Sequence, residues 1–512
     1  MTEIPLRIED LPGEVIDDIL SYLDPKEPFS NTSSPVNMHD ASTGLNGCSV
    51  HNQGERTELD RCRLVCKRFC DISTPRKFDR FTLRFSKEGF QRVEELLRMQ
   101  LACHVKSFTY MVRSSYQESE SWSQFLAENP NDLPAIQTHR TRLQDQIDIF
   151  ENSRDRELLR NAMTAFSRLR NVKLLRLQDE EDSQLLEYIR VRSLGTIALD
   201  WEPACTRAVT NLGYAMIASN RTSVDFVGPH MDPAGIVKLQ QVPSTTLSAL
   251  GARLTCLDVT FHSRNDPTSY VEAASRAFYD FFLAATNLTT LRLGFARGSA
   301  PLDLSLEQVF HRIQWRKLRT FSIGNWRLSS EEIIAFVRRH RRQLHDVRLV
   351  DICLREGSRW RDVLAVLRDE MDEIERIDLS GISYAGHGDN LHGPSNSSGY
   401  GVVAGNSNGN PSAGFHHPPL PLSIYVDHNT PSTSPSPPLS VHHGVLNTDY
   451  LSFGSRGHTR HSFRPSALED LRNRSAENFY DDGMYVTHEQ RQIWEAWVLS
   501  SPRKSARRWH WL

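Results

Sequence analysis

Long apolar runs are missing from this chain. Nowhere in its 512 residues do roughly twenty apolar residues stand together, the length a membrane-spanning helix needs. The N-terminal stretch carries Glu3, Arg7, Glu9 and Asp10 where a secretory signal needs an apolar core, and the ending "RRWHWL" is no prenylation signal. Cysteine is scarce: Cys48, Cys62, Cys66, Cys70, Cys103, Cys205, Cys256 and Cys353 form no disulfide framework. A soluble intracellular protein, cytoplasmic or nuclear, is expected. A dominant charge is lacking as well, since 60 Lys+Arg face 63 Asp+Glu. That balance excludes the basic excess of a dedicated nucleic-acid binder. With 39% hydrophobic residues, the chain is not disordered throughout. The basic runs "RRHRR" (338–342) and "RKSARR" (503–508) read as a solvated helix face and a basic tail, and "DEED" (179–182) as a solvated loop.

Catalytic signatures are also missing. There is no phosphate-cradling G-x-x-x-x-G-K-[ST], no dinucleotide G-x-G-x-x-G, no G-x-S-x-G elbow and no H-E-x-x-H zinc helix. Cys62, Cys66 and Cys70 share a helical spacing but lack the close C-x-x-C pair of a zinc site, so they read as small apolar side chains of a packed helix. Nine of the twenty histidines fall between His387 and His461, inside a Gly/Ser-rich tract, which reads as composition and not as a metal site. No enzyme activity, cofactor or metal is expected. Ser-Pro and Thr-Pro pairs at Thr430, Ser434, Ser436 and Ser501 are candidate sites for proline-directed kinases.

What is present begins with "IEDLPGEVIDDILSYLDPKE" at 8–27. Pro12 suits a first helical position and Glu14 the positive end of the helix dipole. Val15, Ile16, Ile19, Leu20 and Leu23 recur at helical spacing until Asp24-Pro25 stops them. Residues 26–55 are Ser/Asn/Gly/Pro-rich without any period and read as a disordered loop. Helical spacing returns over 57–73 with Leu59, Cys62, Leu64, Val65, Phe69 and Ile72.

From about residue 78 an apolar triplet, φ-x-x-φ-x-φ, recurs. It is read as Phe78/Phe81/Leu83, Val105/Phe108/Tyr110, Val172/Leu175/Leu177, Leu194/Ile197/Leu199, Leu254/Leu257/Val259, Leu288/Leu291/Leu293, Leu318/Phe321/Ile323, Leu344/Val347/Leu349 and Ile374/Ile377/Leu379, with a weaker copy at Arg221/Val224/Phe226. From Val172 onward the spacing is 22 to 34 residues, and helical stretches lie between the later copies. Short strands alternating with helices at that period predict a leucine-rich-type α/β solenoid over 76–384. The gap between Val105 and Val172 holds a helical insertion at about 115–168. Residues 385–465 read as a disordered low-complexity linker. Residues 466–512 read as a helical tail, anchored by Ile493, Trp494, Trp497 and Val498, that folds back to cap the solenoid's open end. The fold class is therefore α+β: an all-α N-terminal segment (5–75), then an α/β solenoid with disordered insertions.

Leu11, Pro12, Glu14, Val15, Ile19, Leu20 and Leu23, followed by Leu64, Val65, Cys66, Lys67 and Phe69, match in order the two halves of an F-box. The chain resembles fungal-type F-box proteins, in which this motif precedes irregular leucine-rich-like repeats. The connection at 26–55 is longer than the motif usually has. The resemblance implies a Skp adaptor as partner and, through it, a cullin–RING ubiquitin ligase. Leu11, Pro12, Ile19, Leu20, Leu23, Val65, Cys66 and Phe69 are the implied adaptor-binding residues, serving either as the segment's core or as its interface.

On this reading the protein catalyses nothing and holds an unidentified protein substrate near a ubiquitin-loaded enzyme. The period-two rule places Arg176, Asp200, Asp225, Asp258, Arg292, Ser322, Arg348 and Asp378 on the strand face away from the core, as a charge-segregated groove for substrate. The same face also reads as an ordinary solvated one. Two other classes stand beside this reading: a Skp-bound scaffold outside any ligase, which lacks cullin, and a stand-alone interaction or enzymatic repeat protein.

Overall fold

A computed structural model describes residues 11–23, 58–115, 133–151, 153–177, 179–191, 201–219, 221–231, 233–262, 266–296, 300–385, 470–479 and 481–501. The chain divides into two units, Met1–Asn390 with Pro465–Leu512 and Leu391–Arg464, and every described residue belongs to the first. The expected loop at 26–55 and all but the first residue of the expected linker at 385–465 lie outside the described residues.

Three short helices open the chain, Gly13–Ser21, Glu58–Arg63 and Lys67–Lys77. Ten strands follow: β1 (Arg80–Arg84), β2 (Ser107–Arg113), β3 (Asn171–Leu177), β4 (Val224–Met231), β5 (Leu254–Phe261), β6 (Thr290–Phe295), β7 (Thr320–Leu328), β8 (Asp346–Leu354), β9 (Arg376–Asp378) and β10 (Ser383–Tyr384). They make one parallel sheet whose strand order is the chain order. β8 pairs with β9 along its first residues and with β10 at its end. Parallel neighbours require a crossover, and helices supply it between most of them.

Burial alternates along the strands, most regularly in β6. One face carries an in-register ladder of Phe81, Phe108, Val172, Phe226, Leu257, Leu291, Phe321 and Val347, all buried. The opposite face is only partly covered. A parallel sheet sandwiched between two helix layers reads as continuously apolar, so the alternation marks a sheet packed on one side.

The ladder corrects two repeat frames. Val172 pairs with Phe108 and Phe226, so it holds the second apolar position of its repeat, with Leu169 first and Leu174 third. "LRNVKLLRL" satisfies the triplet in overlapping frames, and pairing with β2 selects the other one. In β4, Phe226 and not Val224 stands in the ladder, facing Val172 and Leu257, and the register with β5 slips between Val224 and Asp225. The triplet at 194–199 lies outside the described residues; β3 pairs directly with β4, with no strand between them.

The helices hold themselves by local chemistry. Ser329 and Glu332 form a reciprocal capping box on helix Ser330–Arg339, with Glu332 N donating to Ser329 Oγ at 3.2 Å. Between β5 and β6 the helical span is broken at Ala274 into Thr268–Ala273 and Ser275–Ala284. Between β2 and β3, helices Leu133–Glu151 and Arg154–Ala165 are tied in by ion pairs. Buried Arg113 grips buried Asp182 at 2.6 Å and Asp179 at 2.8 Å, and Arg142 reaches Asp179 at 3.0 Å. These arginines hold Asp179 down at about 2 against the opposing pull of burial. Asp155, also buried, takes Arg207 through both oxygens and Asn211 through one. "DEED" is thus partly structural: Asp179 and Asp182 are anchors, while Glu181 stays exposed.

Beneath β6–β8 sits an aromatic cluster of Phe310, Trp315, Phe321 and Phe336 with fully buried His340. His340 Nε2 accepts the Trp315 amide at 3.2 Å, and Nδ1 lies 3.0 Å from Phe336 O. Burial pushes this imidazole down to about 4. Above about pH 6.5 both folded and unfolded chains hold it neutral; below that the unfolded chain takes up a proton that the folded one refuses. Stability is therefore lost as pH falls from about 6.5 toward about 4. Urea unfolding at pH 7 and pH 5 should show wild type losing roughly 2 kcal/mol more than His340→Gln over that interval.

At the other end, helix His488–Leu499 packs on helix Trp360–Asp369 and on β9. Trp494, Trp497 and Val498 are buried there. Buried Arg368 donates to Trp497 O at 2.6 Å and Ser500 Oγ at 3.2 Å, and its guanidinium stacks over the Trp497 ring at 4.5 Å. Glu495 accepts the Leu379 amide at 2.8 Å, and Asp481 accepts the Arg361 amide at 2.8 Å and the Tyr384 hydroxyl.

Candidate functional site

The three N-terminal helices share a very small core. Ile16, Leu20, Leu59 and Phe69 are buried together, with Leu11, Leu23, Cys62, Cys66 and Ile72 packed around them. Salt links assist: Arg76 Nε donates to Asp17 at 2.8 Å, and Lys77 meets Asp60 at 2.6 Å. The Arg76 bond holds the Asp17 carboxyl below its usual range. The turn Leu64-Val65-Cys66 is pinned by Leu64 N to Arg61 O and Val65 N to Cys62 O.

This geometry sorts the eight candidate residues. Leu20 and Phe69 are core, and Leu11, Leu23 and Cys66 line it. Pro12, Ile19 and Val65 are outside it. Three exposed apolar residues not named as candidates join them: Val15, Tyr22 and Leu64. Pro12, Val15, Ile19 and Tyr22 follow i, i+3, i+7, i+10, which is one helix face, distinct from the Ile16/Leu20/Leu23 face. Exposure reaches 43% at Ile19, 81% at Tyr22, 70% at Leu64 and 61% at Val65. A subdomain this small leaves about as much apolar mass outside as inside. The two interleaved helical stripes were visible in the sequence as one broad one.

Cys62, Cys66 and Cys70 are free and partly buried, and no group of three or more metal-ligating side chains occurs among the described residues. Nor, among those residues, is any helix long and apolar enough to cross a membrane.

The second candidate surface is the open face of the sheet. Asp258, Arg292, Ser322, Arg348 and Asp378 stand in one cross-strand row. Asp225 belongs to the adjacent row with Cys256, Thr290, Thr320, Asp346 and Arg376. Arg176 falls outside both, its guanidinium 5.2 Å over the Trp201 ring, and Asp200 lies outside the described residues. The charges do not segregate as expected. Arg292 meets Asp258 at 3.1 Å, Arg348 takes Asp346 through two nitrogens at 3.2 and 3.0 Å, and Arg376 reaches Asp346 at 3.2 Å. Two of these pairs join matched positions of neighbouring strands and the third lies within β8, and in each the opposite charges neutralise one another. Burial pushes the Cys256 thiol up to about 12, and the Asp225 and Asp258 carboxylates add to this, which disfavours its thiolate.

No family model matches this chain. No curated protein matches it either.

Proposed function

We propose that this protein is a substrate-recognition subunit of a Skp–cullin–F-box ubiquitin ligase, with no catalysis of its own. One observation carries the reading: an apolar helix face, Pro12/Val15/Ile19/Tyr22, and an apolar turn, Leu64/Val65, that the subdomain's own core leaves uncovered. Three helices with four buried apolar side chains gain little stability alone. A partner groove that covers the second stripe supplies the rest. The F-box-like order of "LPGEVIDDILSYL" and "LVCKRF" names that partner as the Skp adaptor, bound through an interface of the ordinary ~1,600 Å² class. The one-sided parallel sheet, whose strands follow the chain, fits a leucine-rich-repeat-like solenoid, and its open face is the surface offered to a protein substrate. Because its charges are already paired, that face favours a polar ligand that exchanges hydrogen bonds over one attracted from a distance.

The test is co-purification from cells with the proteasome blocked. Adaptor and cullin should both accompany the wild-type chain, and neither should accompany Leu64→Asp/Val65→Asp. Adaptor without cullin would favour the scaffold reading, and the absence of both from wild type would overturn the proposal.

A further inference from the structure

Six Ser/Thr-Pro dipeptides occur in the sequence, at Ser34, Thr74, Thr430, Ser434, Ser436 and Ser501. Only two have a basic residue at the third position after the acceptor: Thr74, in Thr-Pro-Arg-Lys, and Ser501, in Ser-Pro-Arg-Lys. Thr74 is built into helix Lys67–Lys77, where its hydroxyl accepts Arg63 Nε at 3.2 Å and the following Arg76 is tied to Asp17. A kinase that reads an extended chain does not find one there.

Ser501 is placed differently. It stands two residues beyond the end of helix His488–Leu499, on the segment that closes over helix Trp360–Asp369. Its side chain is 1% exposed and its hydroxyl, buried, has no hydrogen-bond partner. A buried hydroxyl without a partner costs stability, so packing alone does not explain a serine here. The neighbouring Arg368 has its Nη donors engaged by Trp497 O, Ser500 Oγ and Arg472 O.

We propose that Ser501 is a phosphorylation site for a proline-directed kinase that requires a downstream basic residue, and that its modification and the docking of the C-terminal segment exclude one another. The kinase moves the γ-phosphoryl group of a nucleoside triphosphate to Ser501 Oγ; the bond to the β-phosphate oxygen breaks, the nucleoside diphosphate leaves, and the hydroxyl proton passes to the kinase's base. The product carries about two negative charges just past a helix C-terminus, where the backbone dipole is already negative. A site with 1% exposure has no room for three phosphate oxygens, and the neighbouring Arg368 already gives donors to Trp497, Ser500 and Arg472. The kinase therefore acts on the released segment, and the phosphate then holds it released. This inference stands independently of the adaptor reading.

The test treats the full chain with a purified kinase of this class and maps phosphate by mass spectrometry. Ser501 should be the slow site in wild type, absent in Ser501→Ala, and modified about tenfold faster or more in Trp497→Ala, which loosens the segment. Asp481→Ala, which removes contacts to Arg361 and Tyr384, serves as a second loosened variant if Trp497→Ala does not fold. In the phosphorylated protein, amides of residues 488–499 should exchange roughly tenfold faster or more, as in Ser501→Asp. Lack of modification in the loosened variants would overturn the site. Equal rates in wild type and loosened variants would overturn the gating, and unchanged or greater protection after phosphorylation would overturn the exclusion.

Discussion

Ile19→Asp should weaken adaptor binding by about 100-fold or more while leaving the isolated chain as stable as wild type. Ile19 is 43% exposed, so in the free protein the new carboxylate meets water. In the complex it would be stripped of that water inside an apolar contact, a cost that one anchor position suffices to impose. Leu20→Ala, one residue on, should behave in the opposite way. Leu20 is 1% exposed and sits among Ile16, Leu59 and Phe69. Its truncation leaves a cavity worth roughly 2–5 kcal/mol, more than a core of this size withstands. Binding is then lost because the helices melt. Titration of purified adaptor, together with hydrogen exchange over residues 13–21, separates the two outcomes. If Ile19→Asp binds normally, the helix face has been assigned the wrong role.

Trp497→Ala should cost roughly 3–5 kcal/mol in the stability of the C-terminal end of the sheet and the helices packed on it. The ring is buried, meets Phe479 edge-on with 4.9 Å between ring centroids and supports the Arg368 guanidinium. Losing it removes a cation–π contact and leaves Arg368 buried without that cover. Amides of helix Trp360–Asp369 should lose protection, whereas those of β2 and β3, far along the sheet, should keep theirs, because in a sheet whose strands follow the chain order each element packs mostly on its neighbours. Uniform loss across the sheet would mean that the chain unfolds as one cooperative unit.

Much of this architecture was legible in the sequence for physical reasons. Regular triplets such as Leu288/Leu291/Leu293 and Leu318/Phe321/Ile323 admit one frame, and the sheet uses it. "LRNVKLLRL" admits two, and only pairing with β2 decides. The slip at Val224 depends on an irregular register with β5, which no period records. On the first helix, two stripes one residue apart look like one broad stripe, so core and surface separate only when Leu59 and Phe69 arrive to choose a side. The expected segregation of charge failed for a related reason. Alternation along each strand predicted which residues face outward, but partners come from neighbouring strands, and register alone brings Asp258 beside Arg292 and Arg376 beside Asp346.

The C-terminal closure also sets a timetable for synthesis. Helix Trp360–Asp369 and the edge of β9 are finished long before the segment that covers them. The stretch between Ala385 and Asp470 takes roughly 4–17 s to translate at 5–20 residues per second. Throughout that interval Arg368 and the Leu379 amide lack the partners that Trp497, Ser500 and Glu495 supply, and β9 lacks helix His488–Leu499 beside it, on a ribosome-bound chain crowded by sister chains on the same message. A sheet flank with apolar cover stripped away is a template for strand addition. Each nascent molecule thus passes through an aggregation-prone interval whose length is fixed by the residues between Ala385 and Asp470, and shortening that stretch would shorten the wait.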